Sequence, residues 1–352
     1  MADMYKVNEM RMPTWRQLGL NYVEYRPKIM WSSKYYKKGS RDVKNTLDLA
    51  FKDKDYGLSE DILNENKEYE NFIFYKEVEG KKETQTINLD LNDENTSLVS
   101  RIDIEAKEGS ESSFLVNFTS TNSKEAILNS LIRIKLGKNA KAKLVVITNI
   151  GENTTNLQSI ASIIADDAFL DLSYIELGSD YSLVSIKNYL SGENSKLEEN
   201  GVYFKQKDEF MDMLALNEHR AKVTASNSIF NGALKDRAIK QWKGVVDLKR
   251  GCQKADGKIG DYSMMLSDEV VNKSAPILLN NERDVSGKHA ASVGRLNKDM
   301  LYYIMSRGFS KKKAQTLMLE ANFAPCLDKI EDENLRNELK AKVHAMNIRT
   351  DE

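Results

Sequence analysis

Five polar breaks recur at nearly even spacing through the middle of this chain: Gly109, Gly137, Ala165, Gly192 and Glu218, which lie 28, 28, 27 and 26 residues apart. Each break ("EGSESSFLV", "GKNAKAKLV", "ADDAFLDL", "GENSKLEE", "EHRAKVTA") passes through a small residue into a β-branched or alternating segment. Segments such as "NFIFYKEV", "SSFLVNF", "LIRIKL", "AKLVVITNI", "LQSIASII", "AFLDLSYIEL" and "YSLVSIKNYL" read as strands. A unit of this length holds two or three short strands and no long helical period, so it cannot bury its own apolar face. Stacked coils of a β-solenoid meet that need, because each coil pairs with the next through backbone hydrogen bonds. An antiparallel sandwich is the alternative, since it also consists of short strands and turns. The five breaks carry none of the Asn-Gly or Asp-Gly hairpin dipeptides that favour it. The spacing fades after Ser228, although "AIKQWKGVVDL" still alternates like a strand.

The flanks read differently. In residues 1–75, "WRQLGLNY" and "RDVKNTLDLAF" read as short helices, and Ser59 caps "SEDILNEN", giving a small, mainly helical region. Residues 76–290 form the β body, and residues 291–352 return to helix. Asn297 caps "KDMLYYIMSR", which ends at Gly308, and Ser310 caps "KKKAQTLMLEANF". In that second segment Ala314, Leu317, Met318 and Ala321 fall on one apolar stripe. Leu335, Leu339, Val343 and Met346 align in a third segment. Such helices serve either as a cap on the end of the solenoid or as a docking surface.

Composition removes several function classes. With 52 Lys+Arg against 53 Asp+Glu the net charge is -1, so no overall field draws the chain to nucleic acid or an anionic membrane. No apolar run approaches the ~18 residues of a bilayer span, and "MADMYKVNEMRMPTW" lacks the apolar core of a signal peptide, so the expected location is the cytoplasm. Two cysteines, Cys252 and Cys326, and three histidines, His219, His289 and His344, are scattered. A self-contained iron–sulfur or zinc site takes about four such ligands, so any metal centre is expected to be shared with another chain. No phosphate-binding loop of the G-x-x-x-x-G-K-[ST] form occurs, which leaves ATP hydrolysis to a partner.

From about Ile229 to Ala324 an ordered series of motifs resembles the SufB/SufD family of SUF iron–sulfur assembly scaffolds. The series is "FNGALKDRAIKQWKGVVDLKRGCQKADG", "YSMMLSDEVVNKSAPILL" and "DVSGKHAASVGRLNKDMLYYIMSRGFSKKKAQTLMLEANF". Near the start, "MPTWRQLGLNY" is similar to the Pro-x-Trp opening of the SufD branch, which length also favours. The resemblance implies a mainly β protein, a right-handed parallel β-helix with helical N- and C-terminal regions. It also implies a non-catalytic scaffold that pairs with a SufB-like chain and docks a SufC-like ATPase on its C-terminal helices, where Leu317, Met318 and Ala321 lie. His289 matches the SufD histidine implicated in holding a nascent cluster at the shared interface, so the resemblance marks it as a labile cluster or metal ligand. The family's cysteine two residues earlier is Gly287 here, its glutamate on the preceding strand is Leu279, and Cys252 stands where alanine is usual.

Other assignments follow from the residues. His219 is expected in a polar core role, Tyr262 and Arg307 are structural, and Met264, Met265, Met305 and Met318 fill core. Lys311–Lys313 form a solvated face. Two rivals remain. One is a homodimeric SufB-like scaffold drawing ligands from His289, Cys252 or Cys326. The other is a carbohydrate-active β-solenoid enzyme, for which Asp166-Asp167 is the nearest acidic pair, although turn chemistry explains that pair more simply. No cofactor is expected to be stably bound by the isolated chain.

Overall fold

The computed structural model describes residues 4–12, 16–27, 46–80, 83–295 and 297–348. At the N-terminus a two-stranded antiparallel ribbon, β1 (Tyr5–Val7) and β2 (Val23–Tyr25), precedes helices α1 (Thr46–Phe51) and α2 (Glu60–Tyr69). The body begins with β3 (Phe72–Val78), β4 (Glu83–Leu91), β5 (Ser97–Ala106), β6 (Glu111–Ser120), β7 (Ala126–Leu136), β8 (Lys141–Asn149), β9 (Thr154–Ile164) and β10 (Phe169–Leu177). It continues with β11 (Tyr181–Leu190), β12 (Lys196–Lys205), β13 (Phe210–His219), β14 (Ala225–Leu234), β15 (Ile239–Leu248), β16 (Asp256–Met265), β17 (Val271–Asn280) and β18 (Ser286–Arg295). Helices α3 (Lys298–Ser306), α4 (Lys311–Leu327) and α5 (Glu333–Ile348) close the chain.

From β3 on, odd-numbered strands form one eight-stranded sheet and even-numbered strands another, every neighbour being parallel and two strands away in sequence. This is a parallel β-solenoid, as the repeat predicts. One side chain in two enters the lumen, where Ile102, Phe114, Ile132, Leu144, Ile160 and Leu172 belong to a single apolar core. The coils continue through β18 although the sequence spacing fades after Ser228, because the register depends on backbone pairing and not on a conserved break.

Corner chemistry explains four of the five breaks; the fifth, Glu218, is instead a buried residue of β13, and the corner lies just after it at residues 220–224. Gly109, Asn139, Asp167, Asn194, Val223 and Lys254 all have positive φ and stack coil on coil. Gly109 N donates to Lys138 O at 2.8 Å, Asn139 N to Asp166 O at 2.9 Å and Asp167 N to Glu193 O at 2.9 Å. Asp166-Asp167 is therefore turn chemistry: Asp166 Oδ1 accepts from Glu193 N at 2.7 Å. Two Asn-Gly dipeptides lie inside strands. A Cβ on Gly201 would meet Phe230 Cδ1 at 2.1 Å, and one on Gly232 would meet Tyr203 Cε2 at 1.9 Å. Each glycine makes room for an aromatic ring on the adjacent coil.

The flanking regions correct several expectations. Ser59 caps α2, its Oγ accepting from Ile62 N at 3.2 Å. "WRQLGLNY" does not form a helix: its Trp15 lies outside the described residues, and the rest is one 3-10 turn, Arg16–Leu18, stopped by Gly19 at φ 66. In "RDVKNTLDLAF" the helix is α1, and Arg41–Asn45 lie outside the described residues. Boundaries at 75 and 290 cut β3 and β18, so the β body extends from Phe72 to Arg295. The C-terminal helices do not cap the solenoid's end. α4 and α5 lie along the outer face of the even sheet, where Leu319, Phe323, Cys326, Leu339 and Val343 pack on Val145, Ile175 and Phe204. α4 also runs to Leu327 with Pro325 inside it; in the last turn a missing N–H removes only one bond.

Candidate functional site

The last coil is built unlike the others. β5 is buried at every position, whereas in β18 only Gly287, Ala290 and Gly294 are even half-buried. β17 and β18 end their sheets, so each presents one free row of backbone donors and acceptors. Neither strand contains an acidic residue, and β18 is mostly small: Ser286, Gly287, Ala290, Ala291, Ser292 and Gly294. Pro276 is tolerated in β17 because an edge strand has one unpaired side.

His289 stands in the middle of β18, in register with the luminal residue Ile259. It is therefore a strand residue on the luminal side of the open mouth, not part of a loop. Its ring is exposed and makes no hydrogen bond among the described residues. Leu279 does not sit beside it. It is in register with Asp247 and packs on the outer face with Leu214, Leu216 and Val245. Gly287 leaves space that Leu278 takes up, as a Cβ there would meet Leu278 Cδ1 at 2.6 Å.

Neither thiol joins His289 in a cluster of metal-binding side chains among the described residues. Cys252 belongs to the luminal core and Cys326 to the layer between helices and sheet. Burial raises the Cys252 thiol to about 11 and the Cys326 thiol to about 12, so both are protonated near neutrality. Among the described residues no three His, Cys, Asp or Glu side chains converge as a metal site. His219 is a satisfied core histidine: Nδ1 meets Thr224 Oγ1 at 2.8 Å, Nε2 meets Ser226 Oγ at 2.9 Å, and burial lowers it to about 4.

Sequence reasoning missed the ionic interior behind the open end. Lys240 is fully buried on the luminal side and donates to Asp261, to Ser274 Oγ at 2.8 Å and to Asn272 Oδ1 at 3.0 Å. Tyr203 donates to Asp261 Oδ1 at 2.7 Å. Burial pulls the Lys240 ammonium below its ordinary value, against the pull of Asp261. Further back, midway along the solenoid, Lys205 of β12 pairs with Glu176 of β10 at 2.9 Å, both wholly buried. The only sequence signal was alternation, which puts Lys240 on the face of Trp242 in "AIKQWKGVVDL".

A second surface adjoins the end. Leu317 and Met318, half-buried, and Ala321, exposed, line a groove of about 430 Å³ with Met300 and Ile304 of α3 and Tyr262 and Met264 of β16. The side of α4 that packs inward is a different stripe, Leu319, Phe323, Cys326 and Leu327. α3 leaves Tyr302 75 % exposed, with Tyr303, Met300, Met305 and Phe309 also open. Met305 and Met318 thus do not fill core. Arg307 stacks its guanidinium 5.1 Å from the Tyr303 ring centre, and Lys311–Lys313 are exposed as expected.

The chain is thus an open-ended parallel β-solenoid with an unpaired terminal coil and a helical flank. Among known families, the model of the SUF system FeS cluster assembly SufBD core domain matches residues 89–322, and the chain belongs to that family. It is 26% identical over 246 residues to iron–sulfur cluster assembly protein SufD of Bacillus subtilis, covering 69% of this chain and 56% of that one. It is 22% identical over 240 residues to SufD of Escherichia coli, covering 68% and 57%. A SufBD family protein of Pyrococcus horikoshii is 29% identical over 199 residues, covering 55% and 43%. The chain therefore spans little more than half the length of the SufD proteins it matches. Among the described residues no helix is long and apolar enough to cross a membrane.

Proposed function

We propose that this chain is a SufD-like, non-catalytic scaffold subunit that builds iron–sulfur clusters together with a SufB-like chain and a SufC-like ATPase. The observation that carries this reading is the open coil: two free strand edges without acidic residues, flanking an exposed imidazole at the mouth of the lumen. Edge-to-edge pairing with a second solenoid would satisfy those backbone groups and bring partner ligands to His289. The nascent cluster is cargo, and this chain offers it one accessible ligand, because both thiols are buried and protonated. That supports a partner as the source of thiolates over a homodimer relying on Cys252 or Cys326. The aromatic face of α3 and the groove lined by Leu317, Met318 and Ala321 would receive the ATPase.

Co-expression with a SufB-like chain and a SufC-like ATPase tests the reading. A ternary complex is expected, losing the ATPase but not the SufB-like chain when Tyr302 and Tyr303 are changed to Asp. His289→Ala is expected to leave assembly intact and lower cluster yield. Recovery of the chain alone from such co-expression would count against the proposal.

A further inference from the structure

Asn8, Arg11 and Leu18 of the N-terminal region are held on the outer face of the odd sheet by three anchors that step toward the open end. Asn8, held at φ 50, donates from Nδ2 to Val184 O at 3.0 Å and Asp212 Oδ2 at 2.7 Å, and its carbonyl accepts from Lys243 Nζ at 3.3 Å. Arg11 donates from Nη1 to Glu218 at 2.6 Å and Asp247 at 3.3 Å, and from Nε to Asp55 at 3.2 Å. The Leu18 carbonyl accepts from Lys273 Nζ of β17 at 2.9 Å. The anchors thus progress from β11 and β13 through β15 to the edge strand.

The middle anchor has the strongest physical reason to exist. Glu218 and Asp247 are register partners on adjacent strands, and their side chains are 0% and 1% exposed. Two carboxylates side by side out of water need cations. Arg220 supplies one to Glu218, Lys249 lies 2.7 Å from Asp247, and Arg11 brings a third that belongs to the N-terminal region. Next to Arg11, buried Met10 and the exposed Met12 line an apolar pocket of about 130 Å³ whose other walls include Leu216, Val245, Ile277 and Leu279. Ile277 and Leu279 face outward from β17, so the strap shares this cavity with the strand whose free edge forms the open end.

We propose that the N-terminal strap is a conformational device acting on the open end: Arg11, latched on the Glu218–Asp247 pair, holds Met10 as a wall of the apolar pocket over Ile277 and Leu279 and, with the Lys273 anchor, keeps edge strand β17 ordered. Releasing the latch loosens β17 without breaking the solenoid. Its consequence for assembly rests on the reading of the open end as a pairing surface, but the coupling itself is a property of the isolated chain and is tested there.

Hydrogen exchange measured by mass spectrometry on the full chain, with no partner present, reads the coupling. Arg11→Met is expected to raise exchange in residues 271–280 by about tenfold, although Arg11 touches none of them, and to leave β3 at the far end unchanged. Arg11→Lys restores part of the protection. Lys273→Met, which removes the last anchor and spares the acidic pair, raises exchange in the same strand by a smaller factor. Exchange in β17 within twofold of wild type while residues 8–12 loosen would overturn the proposal, as would a uniform rise in β3, β9 and β17, which would mean general destabilisation. Failure of the chain to pair with a partner would leave these outcomes readable, so the two ideas fail separately.

Discussion

The two ends of the solenoid solve the same problem in opposite ways. At the N-terminal end the first coil is guarded by charge: Lys76 of β3 meets Glu83 of β4 at 2.5 Å, and Glu77 holds Lys107 at 3.1 Å. Charged edges of this kind discourage pairing with another chain. At the C-terminal end β17 and β18 carry only basic charge, Lys273, Lys288 and Arg295, with no acid in either strand, and β18 is mostly small and exposed, with Gly287, Ala290 and Gly294 half-buried. The contrast continues inside. The first coils fill the lumen with Ile102, Phe114, Phe118 and Ile132, whereas Lys240 and Asp261 are enclosed just behind the last coil, and Lys205 pairs with Glu176 midway along. An apolar lumen can end on its own closed coil. A lumen braced by buried ion pairs keeps the terminal coils in fixed relation while leaving their edges free, which is what a pairing surface requires.

The largest effect expected from breaking this contrast is at Lys240. Lys240→Met strands a buried Asp261 carboxylate and should cost about 3–5 kcal/mol in denaturant unfolding. The same change at the guarded end, Lys76→Met, removes a half-exposed pair and should cost at most about 1 kcal/mol.

The polar lumen should also give the chain opposing pH slopes that an apolar one lacks. Burial raises the Glu199 carboxyl to about 7, so its contribution is fully present below about 4.5 and lost as pH rises through 7. Burial lowers His219 to about 4, so its contribution is present above about 6.5 and lost as pH falls through 4. Between these limits the two oppose each other. Glu199→Gln should unmask the rising slope of His219 and, above pH 7, recover up to about 3 kcal/mol, as stability curves across pH would show.

The smallest effect lies at the corners. Val223 is a β-branched residue at φ 60, where the preceding coils place Gly109, Asn139, Asp167 and Asn194 and the next places Lys254. Val223→Asn should stabilise by about 1 kcal/mol in thermal unfolding, without altering either end.

These differences also mark what could be read from sequence. The coils were legible because small and polar breaks recur at regular intervals; the left-handed residues the corners need are Gly109 itself and Asn139, Asp167 and Asn194, each two positions beyond the marked Gly137, Ala165 and Gly192. The open end was not, because β18 alternates small and polar residues whether a further coil covers it or not, and "DVSGKHAASVG" looks like a loop. The buried Lys240 and Lys205 carry no local signal, since the acids that meet their charge lie 21 and 29 positions away in sequence. In α4 the sequence offers two apolar stripes. Leu317, Met318 and Ala321 were the more regular, but Leu319, Phe323 and Leu327 are the ones that meet the sheet, the last turn being hidden behind Pro325. His289 was legible through family resemblance, and its position in the structure supplies exposure and register but no second ligand.

The account stands most directly on whether the C-terminal end, and not the N-terminal one, is the pairing surface. Sedimentation of this chain with a SufB-like partner measures that, using Val293→Asp to place a charge on the exposed rim of β18 and Glu77→Ala to remove one from β3. The account predicts a one-to-one complex for wild type and for Glu77→Ala, and affinity weakened by about 100-fold or more for Val293→Asp, with thermal stability unchanged. Pairing by Val293→Asp at wild-type affinity would contradict it.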